Sequence, residues 1–188
     1  MIAALVGAAI DTMGTREPGD AVGANEIRNL LLNGTPERWD AVSEALLMVA
    51  ARRSHLAETV WPALDSGKWV VCDRFADSTT AYQGYGGGVP LDRLAALHEL
   101  IAGDFLPDLT LILDVPVEIG LARAAERRGG ETRFESKGRD FHERVRQGFL
   151  AIAKQEPLRC VVIDAGRDAK TVSAAMLAVL RERLGLKL

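Results

Sequence analysis

The sequence predicts a three-layer α/β/α fold built on a parallel sheet. Three short runs, WVVCD, LTLILDV and RCVVIDA, are apolar and rich in β-branched residues, as is typical of parallel strands covered on both faces. Stretches with helical periodicity separate these runs, which implies βαβ units. In such sheets, ligands bind beyond the carboxyl ends of the strands.

The remaining elements follow from their periodicity and their end signals. Residues 1–10 are predicted to form the second half of a helix, and a short extended segment follows and ends at TREPGD. Further helices are predicted over residues 23–33, 37–65, 91–102, 117–128, 139–154 and 169–184. Gly34 fits a helix stop, and Pro62 predicts a kink or a break near the end of the long helix over residues 37–65. Residues 1–188 are expected to form a single domain.

The charge balance argues against a generic binder of nucleic acids. The 188 residues contain 23 Lys plus Arg and 26 Asp plus Glu, which gives a formal net charge of −3. A nucleic-acid binder is usually basic, so we expect no nucleic-acid partner. Any anionic ligand must instead be held by locally clustered arginines.

The cysteines, the histidines and the apolar runs indicate a cytoplasmic protein without a protein-ligated metal. Cys72 and Cys160 lie in apolar runs, as buried free thiols do in a reduced compartment. A zinc site would need more ligands at shorter spacing, and His55, His98 and His142 are scattered and predicted to be structural. No apolar run reaches the roughly 18 residues of a membrane span, and the N-terminus lacks the basic region of a secretory signal.

A polar segment follows directly on the strand WVVCD. An Asp at the carboxyl end of a strand, such as Asp73, can hold a magnesium-bound water, and the adjacent Arg74 can clamp phosphate oxygens. Thr79, Tyr82 and Gln83 share a face if the next residues are helical. An ordinary Asp–Arg ion pair followed by a helix cap explains the same pattern equally well.

The segment Thr15-Arg16-Glu17-Pro18-Gly19 is a charged pair followed by a turn of fixed geometry. Arg28 lies twelve residues after Arg16, in the next predicted helix. The segment by itself is also compatible with a solvated turn.

Met48 and Arg52 are four residues apart and therefore lie on one face of the predicted helix. Such a pair could hold a flat base against the Met side chain while the guanidinium reads a carbonyl edge. A core Met beside a surface Arg is the alternative.

An arginine-rich stretch runs from Arg123 to Arg146, with Gly129-Gly130 as a hinge. Its other arginines are Arg127, Arg128, Arg133, Arg139 and Arg144. Mobile segments of this kind suit a lid that closes over transferring phosphates. A solvated basic loop and helix face is the alternative.

Taken in this order, the segments resemble bacterial thymidylate kinases. TREPG, DRF…AYQG, PDLTLILDVPVEIGLAR, and RFE followed by FHERVRQGF carry the resemblance, which covers nearly the whole chain. The resemblance implies a P-loop-type nucleotide kinase. It also implies ATP- and Mg²⁺-dependent transfer of the γ-phosphoryl group to dTMP, giving dTDP, in a homodimer.

The resemblance also implies roles on the acceptor side. Arg16, Arg28 and Arg74 would bind the acceptor phosphate and its surroundings, and Glu17 and Asp73 would lie near magnesium. The residues that would contact the nucleoside are Arg52, Thr79 and Gln83 on the thymine edges, Tyr82 on the deoxyribose and Met48 on the base, where the family usually has Phe.

On the donor side, the resemblance implies a lid over about residues 123–140. Its arginines Arg123, Arg127 and Arg133 would reach the transferring phosphoryl group. Residues near Ala165-Gly166-Arg167 would border the adenine. The chain departs from the family pattern at Thr132, usually Asp, and at Asp20, usually Gly.

The largest departure is a missing motif. The family opens with a strand and a GxxxxGK[ST] loop that cradles the ATP phosphates, and that motif does not occur in these 188 residues. In the family, that strand is central, between the strands WVVCD and LTLILDV. We therefore expect a sheet without its central strand, a marginal fold and a poor kinase, with Met1 an internal Met of a longer protein.

The missing motif has two alternative explanations. The chain could be a degenerate homologue that binds nucleotide without catalysis, or a disordered loop could be absent from the sequence. A kinase for a different base is a further alternative to dTMP phosphorylation. The unbroken numbering argues against an omitted loop.

Overall fold

The computed structural model describes residues 1–126 and 133–188. Its α-helices are α1 Ile2–Gly7, α2 Val22–Leu32, α3 Ala41–His55, α4 Trp61–Asp65, α5 Ala76–Thr79, α6 Leu91–Ala102, α7 Val117–Glu126, α8 Arg139–Gln155 and α9 Ala169–Leu184. Its strands are β1 Thr12–Arg16, β2 Trp69–Asp73, β3 Thr110–Asp114 and β4 Cys160–Asp164. Short 3₁₀ and π-helical segments occur at Pro36–Arg38, Leu56–Val60 and Thr80–Gly86. These bounds confirm the predicted alternation of helices and strands.

The strands form two parallel pairs. β1 pairs with β2, from Thr12 opposite Trp69 to Arg16 opposite Asp73, and β3 pairs with β4. The two pairs are not hydrogen-bonded to each other in the described residues. The prediction of parallel strands is confirmed. One continuous sheet is not observed in this part of the chain, because no described strand bonds to the second edge of β2 or β3.

The predicted break at Pro62 takes the form of a π-helical turn. α3 ends at His55, the π turn spans Leu56–Val60, and α4 begins at Trp61 with Pro62 in its first turn. Proline lacks an N–H and its ring clashes with the carbonyl four residues earlier. A π turn is a common way for a helix to absorb such an interruption.

Two glycines let α8 lie close to the Thr80–Gly86 segment. A Cβ on Gly148 would come within 2.8 Å of the Tyr85 ring, and one on Gly86 would come within 2.8 Å of Phe141. This contact belongs to a core cluster that also includes Ala81 and Ile112. The close packing fixes the segment that carries Tyr82 and Gln83.

Both cysteines are free, as predicted. Burial raises the pKa of the Cys72 thiol, and the negative charges of Glu17 and Asp73 raise it further. Cys72 is therefore a poor nucleophile near neutral pH. Across the described part of the chain, no helix is long and apolar enough to span a bilayer.

Candidate active site

The TREPG turn and the DRF segment leave the same end of the β1–β2 pair. Arg16 and Asp73 are opposite each other in the register. The Glu17 N–H donates to the Asp73 carbonyl at 2.9 Å, so the pairing continues one residue past the strand. The carboxyl ends of parallel strands are where such folds bind ligands.

A buried ionic network joins this turn to α3. Glu17 Oε2 accepts a hydrogen bond from Arg52 Nε at 2.7 Å, and Glu17 Oε1 lies 3.0 Å from His55 Nδ1. Arg52 Nη2 donates to Thr79 Oγ1 at 2.9 Å. All four side chains are buried. Because a buried charge is tolerated when it is paired and hydrogen-bonded, this network holds Arg52 and Glu17 in fixed positions.

His55 occupies a structural place that the sequence analysis did not connect to the site. Its ring is fully buried and its Nε2 lies 2.7 Å from Thr15 Oγ1. The imidazole therefore contacts Thr15 and Glu17, the first and third residues of the TREPG segment, and anchors the turn to the end of α3.

Asp20 stands where the resembled family has glycine, and the backbone explains how it fits. Its φ is +58°, a left-handed conformation that Asp tolerates better than most residues. Its carboxylate accepts hydrogen bonds from the Arg16 N–H and the Thr15 hydroxyl, both at 3.1 Å. The side chain thus closes the turn that glycine would close by backbone freedom alone.

The predicted phosphate-binding arginines lie around this turn. Arg28 Nη1 donates to the Pro18 carbonyl at 2.7 Å, and Arg16, which is largely exposed, is 3.6 Å from the Asp20 carboxylate. A Cβ on Gly19 would lie 3.7 Å from both the Arg16 and Arg28 side chains. The two arginines therefore flank Gly19.

Arg74 follows β2 with a strained backbone. Its φ is +72°, which is uncommon for a residue with a long side chain and is found most often at functional sites. Its guanidinium lies 5.0 Å from the centre of the Tyr82 ring, and Nη2 is 3.3 Å from the Tyr82 hydroxyl. The conformation directs Arg74 towards Tyr82 rather than along the strand.

The face of α3 that carries Met48 meets the segment that carries Thr79 and Gln83. Arg52 bonds Thr79 at one end of this contact, and Gln83 Nε2 donates to Glu44 Oε2 at 3.0 Å at the other. Glu44, Met48 and Arg52 are spaced by four residues, so they share a helical face. Met48 is half-buried between the two polar pairs.

Tyr82 lies in an aromatic cluster. Its ring makes edge-on contacts with Phe134, Phe141 and Phe149, at centroid distances of 5.8, 6.1 and 6.2 Å. Such edge-on pairs favour a fixed ring orientation. The predicted contact of Tyr82 with the deoxyribose stays a prediction.

The structure gives Arg133 a buried position. Nε and Nη1 donate to the carbonyls of Thr35 and Leu31, and Nη2 bonds the carbonyls of Pro36 and Trp39 and the carboxylate of Glu44 at 2.6 Å. All three guanidinium nitrogens are thus engaged by the chain itself. The predicted reach of Arg133 to a transferring phosphoryl group would require breaking these contacts. Arg127 lies outside the described residues.

The two residues predicted on the donor side lie at one loop. Arg123 donates to the carbonyls of Ala165, Gly166 and Arg167, the shortest bond being 2.7 Å to Ala165. Arg167 Nε donates to Asp164 at 3.1 Å. Arg123 therefore fixes the loop between β4 and α9, and its guanidinium is largely taken up by that loop.

The acidic residues differ in their suitability for magnesium. Both oxygens of Glu17 are engaged by Arg52 and His55, so direct coordination would break a buried contact. Asp73 is exposed at the strand end, which suits a contact through metal-bound water, the usual mode for Mg²⁺. No cluster of three or more His, Cys, Asp or Glu suited to an ion occurs in the described ranges.

Two ionisable residues contact the site without having been assigned to it from the sequence. Glu44 is buried and contacts Gln83, Arg133 and Lys137, and His55 contacts Glu17. The four-residue spacing of Glu44, Met48 and Arg52 was available as a signal for Glu44. The local sequence around His55 contains no comparable signal.

Comparisons with known proteins identify the family to which the chain belongs. The family model described as Thymidylate kinase matches residues 1–176. A thymidylate kinase of Caulobacter vibrioides is 56% identical over 176 residues, covering 94% of this chain and 84% of that protein. One of Rhodopseudomonas palustris (strain ATCC BAA-98 / CGA009) is 53% identical over 180 residues, covering 94% of this chain and 78% of that protein.

A solved structure gives the same assignment. The crystal structure of thymidylate kinase from Ehrlichia chaffeensis matches with a TM-score of 0.70 and 36% sequence identity, covering 90% of this chain and 80% of that one. Relatives of this identity and coverage, together with the family match over most of the chain, establish the assignment: the chain belongs to the thymidylate kinase family.

Proposed function

We propose that this protein transfers the γ-phosphoryl group of ATP to dTMP, giving dTDP and ADP. The observation that carries the proposal is the buried network of Glu17, Arg52 and Thr79. It joins the TREPG turn, the α3 face and the segment after β2 into one constellation. Those are the segments to which the family resemblance assigns the acceptor nucleotide.

The acceptor phosphate is held by arginines at the ends of β1 and β2 and on α2. Arg16 and Arg28 flank Gly19, and Arg74 directly follows Asp73, the residue paired with Arg16. Guanidinium groups match phosphate oxygens in pairs. Because phosphoryl transfer is catalysed mainly by positioning and by stabilising charge, these arginines would orient the acceptor oxygen towards the donor.

The base is held between α3 and the segment after β2. Arg52, Thr79 and Gln83 supply polar contacts to its edges, Met48 supplies an apolar surface, and Tyr82 borders the sugar. Support comes from the two polar pairs that enclose Met48. Met lies against a flat ring with less defined geometry than Phe would. Base affinity is therefore expected to be lower with Met48 than with Phe at this position.

Magnesium would neutralise the charge of the transferring phosphates. Asp73 suits a water-mediated contact with it, and Glu17 serves to fix Arg52 and the turn. On the donor side, Arg123 and Arg167 border the adenine, and Arg127 and Arg133 belong to the lid. For Arg133 the buried hydrogen bonds favour a role in anchoring the lid rather than in touching phosphate.

A further strand and a donor-phosphate loop would complete the ATP site. The proposal places them beside β2 and β3, each of which has one edge without a strand partner in the described residues. Unpaired backbone groups in a buried sheet are costly. The test compares dTDP formation by the 188 residues with that by the chain extended by any in-frame residues encoded before Met1. A much faster extended chain supports the placement, and equal rates contradict it.

We also propose a cytoplasmic homodimer. Val42 and Leu46 are one turn apart on α3 and remain 55% and 51% exposed, which suits an apolar contact between two copies. Sedimentation should report a dimer in the wild type and a monomer in Leu46→Lys. Leu158→Lys, at an exposed apolar residue outside the helices, is the control and should leave the dimer intact.

Nucleotide selectivity and one arginine test the proposed reaction. Steady-state assays with dTMP, dUMP, dCMP and dGMP should give the highest kcat/KM with dTMP. Arg74→Ala should lower kcat by at least about 100-fold, a typical loss for a group that stabilises transition-state charge. Arg93→Ala, an exposed arginine on α6, should change little. Equal use of all four nucleotides, or an unchanged kcat in Arg74→Ala, would refute the assignment.

A further inference from the structure

We propose that Glu44 is a positioning residue that sets the orientation of the Gln83 amide and thereby selects a base with an N–H donor. The inference rests on the proposed function, since it concerns the base site of that reaction. Glu44 has a buried carboxylate that contacts Gln83 through one oxygen and two cationic side chains through the other.

The two oxygens of Glu44 have different partners. Oε1 accepts hydrogen bonds from Arg133 Nη2 at 2.6 Å and from Lys137 Nζ at 2.7 Å. Oε2 lies 3.0 Å from the Gln83 amide nitrogen. The Glu44 side chain is fully buried, so its carboxylate is held by these protein contacts and is shielded from bulk water. The cations hold the carboxylate in place, and Oε2 faces Gln83.

The chemistry of the carboxylate decides which way the amide of Gln83 turns. A carboxylate only accepts hydrogen bonds, whereas an amide has a donor end and an acceptor end. The NH₂ group of Gln83 must therefore face Glu44. Its carbonyl oxygen is left to face elsewhere.

That carbonyl oxygen lacks a partner. Gln83 is 1% exposed, and its Oε1 is buried without a hydrogen-bond partner among the residues that the structure describes. Buried polar atoms are nearly always hydrogen-bonded, and an exception asks for an explanation such as a ligand or a bound water. Because Gln83 is one turn from Thr79, which bonds Arg52, the missing partner is a donor at the base site.

Pyrimidine bases differ at the position that such an acceptor would read. Thymine and uracil carry a hydrogen on N3, whereas N3 of cytosine has a lone pair and would face Gln83 Oε1 as a second acceptor. A site whose polar group is left unpaired rejects the wrong ligand strongly. The orientation that Glu44 imposes therefore favours thymine over cytosine.

Glu44→Gln is a variant that reverses the orientation. Arg133 and Lys137 are donors, so they retain the carbonyl end of the new amide, and its NH₂ end faces Gln83. Gln83 must then turn its own carbonyl towards residue 44 and its NH₂ towards the base. The site now offers a donor, which suits cytosine N3.

The experiment is calorimetric binding of dTMP and dCMP to the full chain, with thermal unfolding of each variant as a check on folding. Wild type should prefer dTMP, and Glu44→Gln should lower the dTMP:dCMP affinity ratio by about tenfold or more. In a Gln83→Leu background, Glu44→Gln should no longer change the ratio, because the double-mutant cycle isolates the contact between the two residues. If Glu44 had a purely structural role, Glu44→Gln would weaken the binding of dTMP and dCMP equally.

The outcomes separate this inference from the proposed function. A wild-type preference for dTMP that survives Glu44→Gln overturns the role of Glu44 and leaves the function intact. A wild type that binds neither nucleotide, or prefers dCMP, overturns both. If Glu44→Gln does not fold, N3-methylated dTMP replaces it as the probe. If N3-methylated dTMP bound as tightly as dTMP, the acceptor role of Gln83 would be contradicted. Glu44→Asp keeps the carboxylate and should retain the preference for dTMP.

Discussion

Glu17 Oε1 lies 3.0 Å from Nδ1 of His55, and this contact ties the turn after β1 to the end of α3. Both side chains are buried. The other Glu17 oxygen bonds Arg52, so a histidine outside every recognised motif supports the arginine proposed to read the base.

His55→Ala should destabilise the fold and weaken dTMP binding. The substitution leaves a cavity and removes the His55 partner of the buried Glu17 Oε1, while the Thr15 hydroxyl loses one of its two contacts and keeps its bond to Asp20. A loss of about 2–4 kcal/mol in the free energy of unfolding is expected. Urea unfolding measures the loss, and dTMP titration of the folded variant measures the change in Kd.

The control for that prediction is His98→Ala. His98 is half-buried, and its Nε2 bonds the Phe105 carbonyl at 3.0 Å rather than the Glu17 carboxylate. It should lower stability without changing the Kd for dTMP. Equal effects of the two variants on dTMP binding would contradict a specific role for His55.

Arg133→Ala tests whether Arg133 has a structural or a catalytic role. The change removes a buried cation that bonds four carbonyls and Glu44. Breaking a buried ion pair in this way costs about 3–5 kcal/mol. We expect a large fall in Tm by calorimetry. A variant with unchanged Tm and a kcat lowered by orders of magnitude would instead support the predicted contact with the transferring phosphoryl group.

Gly148→Ala and Gly120→Ala form a matched pair on two helices. A Cβ on Gly148 would lie 2.8 Å from the Tyr85 ring, whereas one on Gly120 would meet Val115 at 3.4 Å. Overpacking should therefore destabilise Gly148→Ala by about 1–3 kcal/mol. Gly120→Ala should be neutral or stabilising by about 0.5–1 kcal/mol, because Ala favours helices. Denaturant midpoints of the two variants test the difference in sign.

Asp114 gives the fold an acid-sensitive contact. Arg146 bonds both of its oxygens, at 2.7 and 2.9 Å, and this hydrogen bonding lowers the pKa of Asp114 below its ordinary value. A carboxyl with a lowered folded-state pKa stabilises the protein above its unfolded-state pKa of about 3.9. That contribution is lost as the pH falls through the folded-state value.

Asp114→Asn should therefore lower stability at pH 7 by about 1 kcal/mol, as expected for a partly exposed pair with good geometry. The difference between wild type and variant should shrink near pH 3, because protonation of Asp114 weakens the pair in the wild type, whereas the amide introduced by Asp114→Asn does not titrate. Urea unfolding at the two pH values measures it. A difference that stays constant across this range would contradict the linkage.

Met48→Phe should strengthen dTMP binding. A flat ring at this position would stack on the base with defined geometry, whereas Met is flexible. We expect Kd for dTMP to fall by a few fold, since an aromatic pair contributes about 0.5–1.5 kcal/mol. Titration of both variants with dTMP measures the change, and weaker binding by Met48→Phe would argue against a base contact at this position.

Most of the local structure could be predicted from the sequence. Periodicity predicted α6 and α9 with their observed bounds, because an apolar stripe recurs with the helical period: α6 packs against α3 and the Thr80–Gly86 segment, and α9 packs against β4. The short apolar runs predicted β2, β3 and β4. The TREPG and DRF segments lie together at one strand end, where the predicted fold class locates ligands.

Long-range polar contacts could not be predicted in the same way. Glu44 meets Arg133 across 89 residues and Gln83 across 39. No local pattern encodes such pairs, since they depend on how α3 packs against distant segments. The buried position of Arg133 has the same cause, and Arg133 without its partners is indistinguishable from any lid arginine.

Product analysis of a mixture of ATP, Mg²⁺ and dTMP with this protein tests the central claim most directly. Anion-exchange chromatography should show dTDP and ADP appearing in equal amounts, and replacing dTMP with dCMP should slow product formation. ADP released without dTDP would show hydrolysis rather than transfer. That result, or dCDP formed as fast as dTDP, would contradict the assignment of this chain as a dTMP kinase.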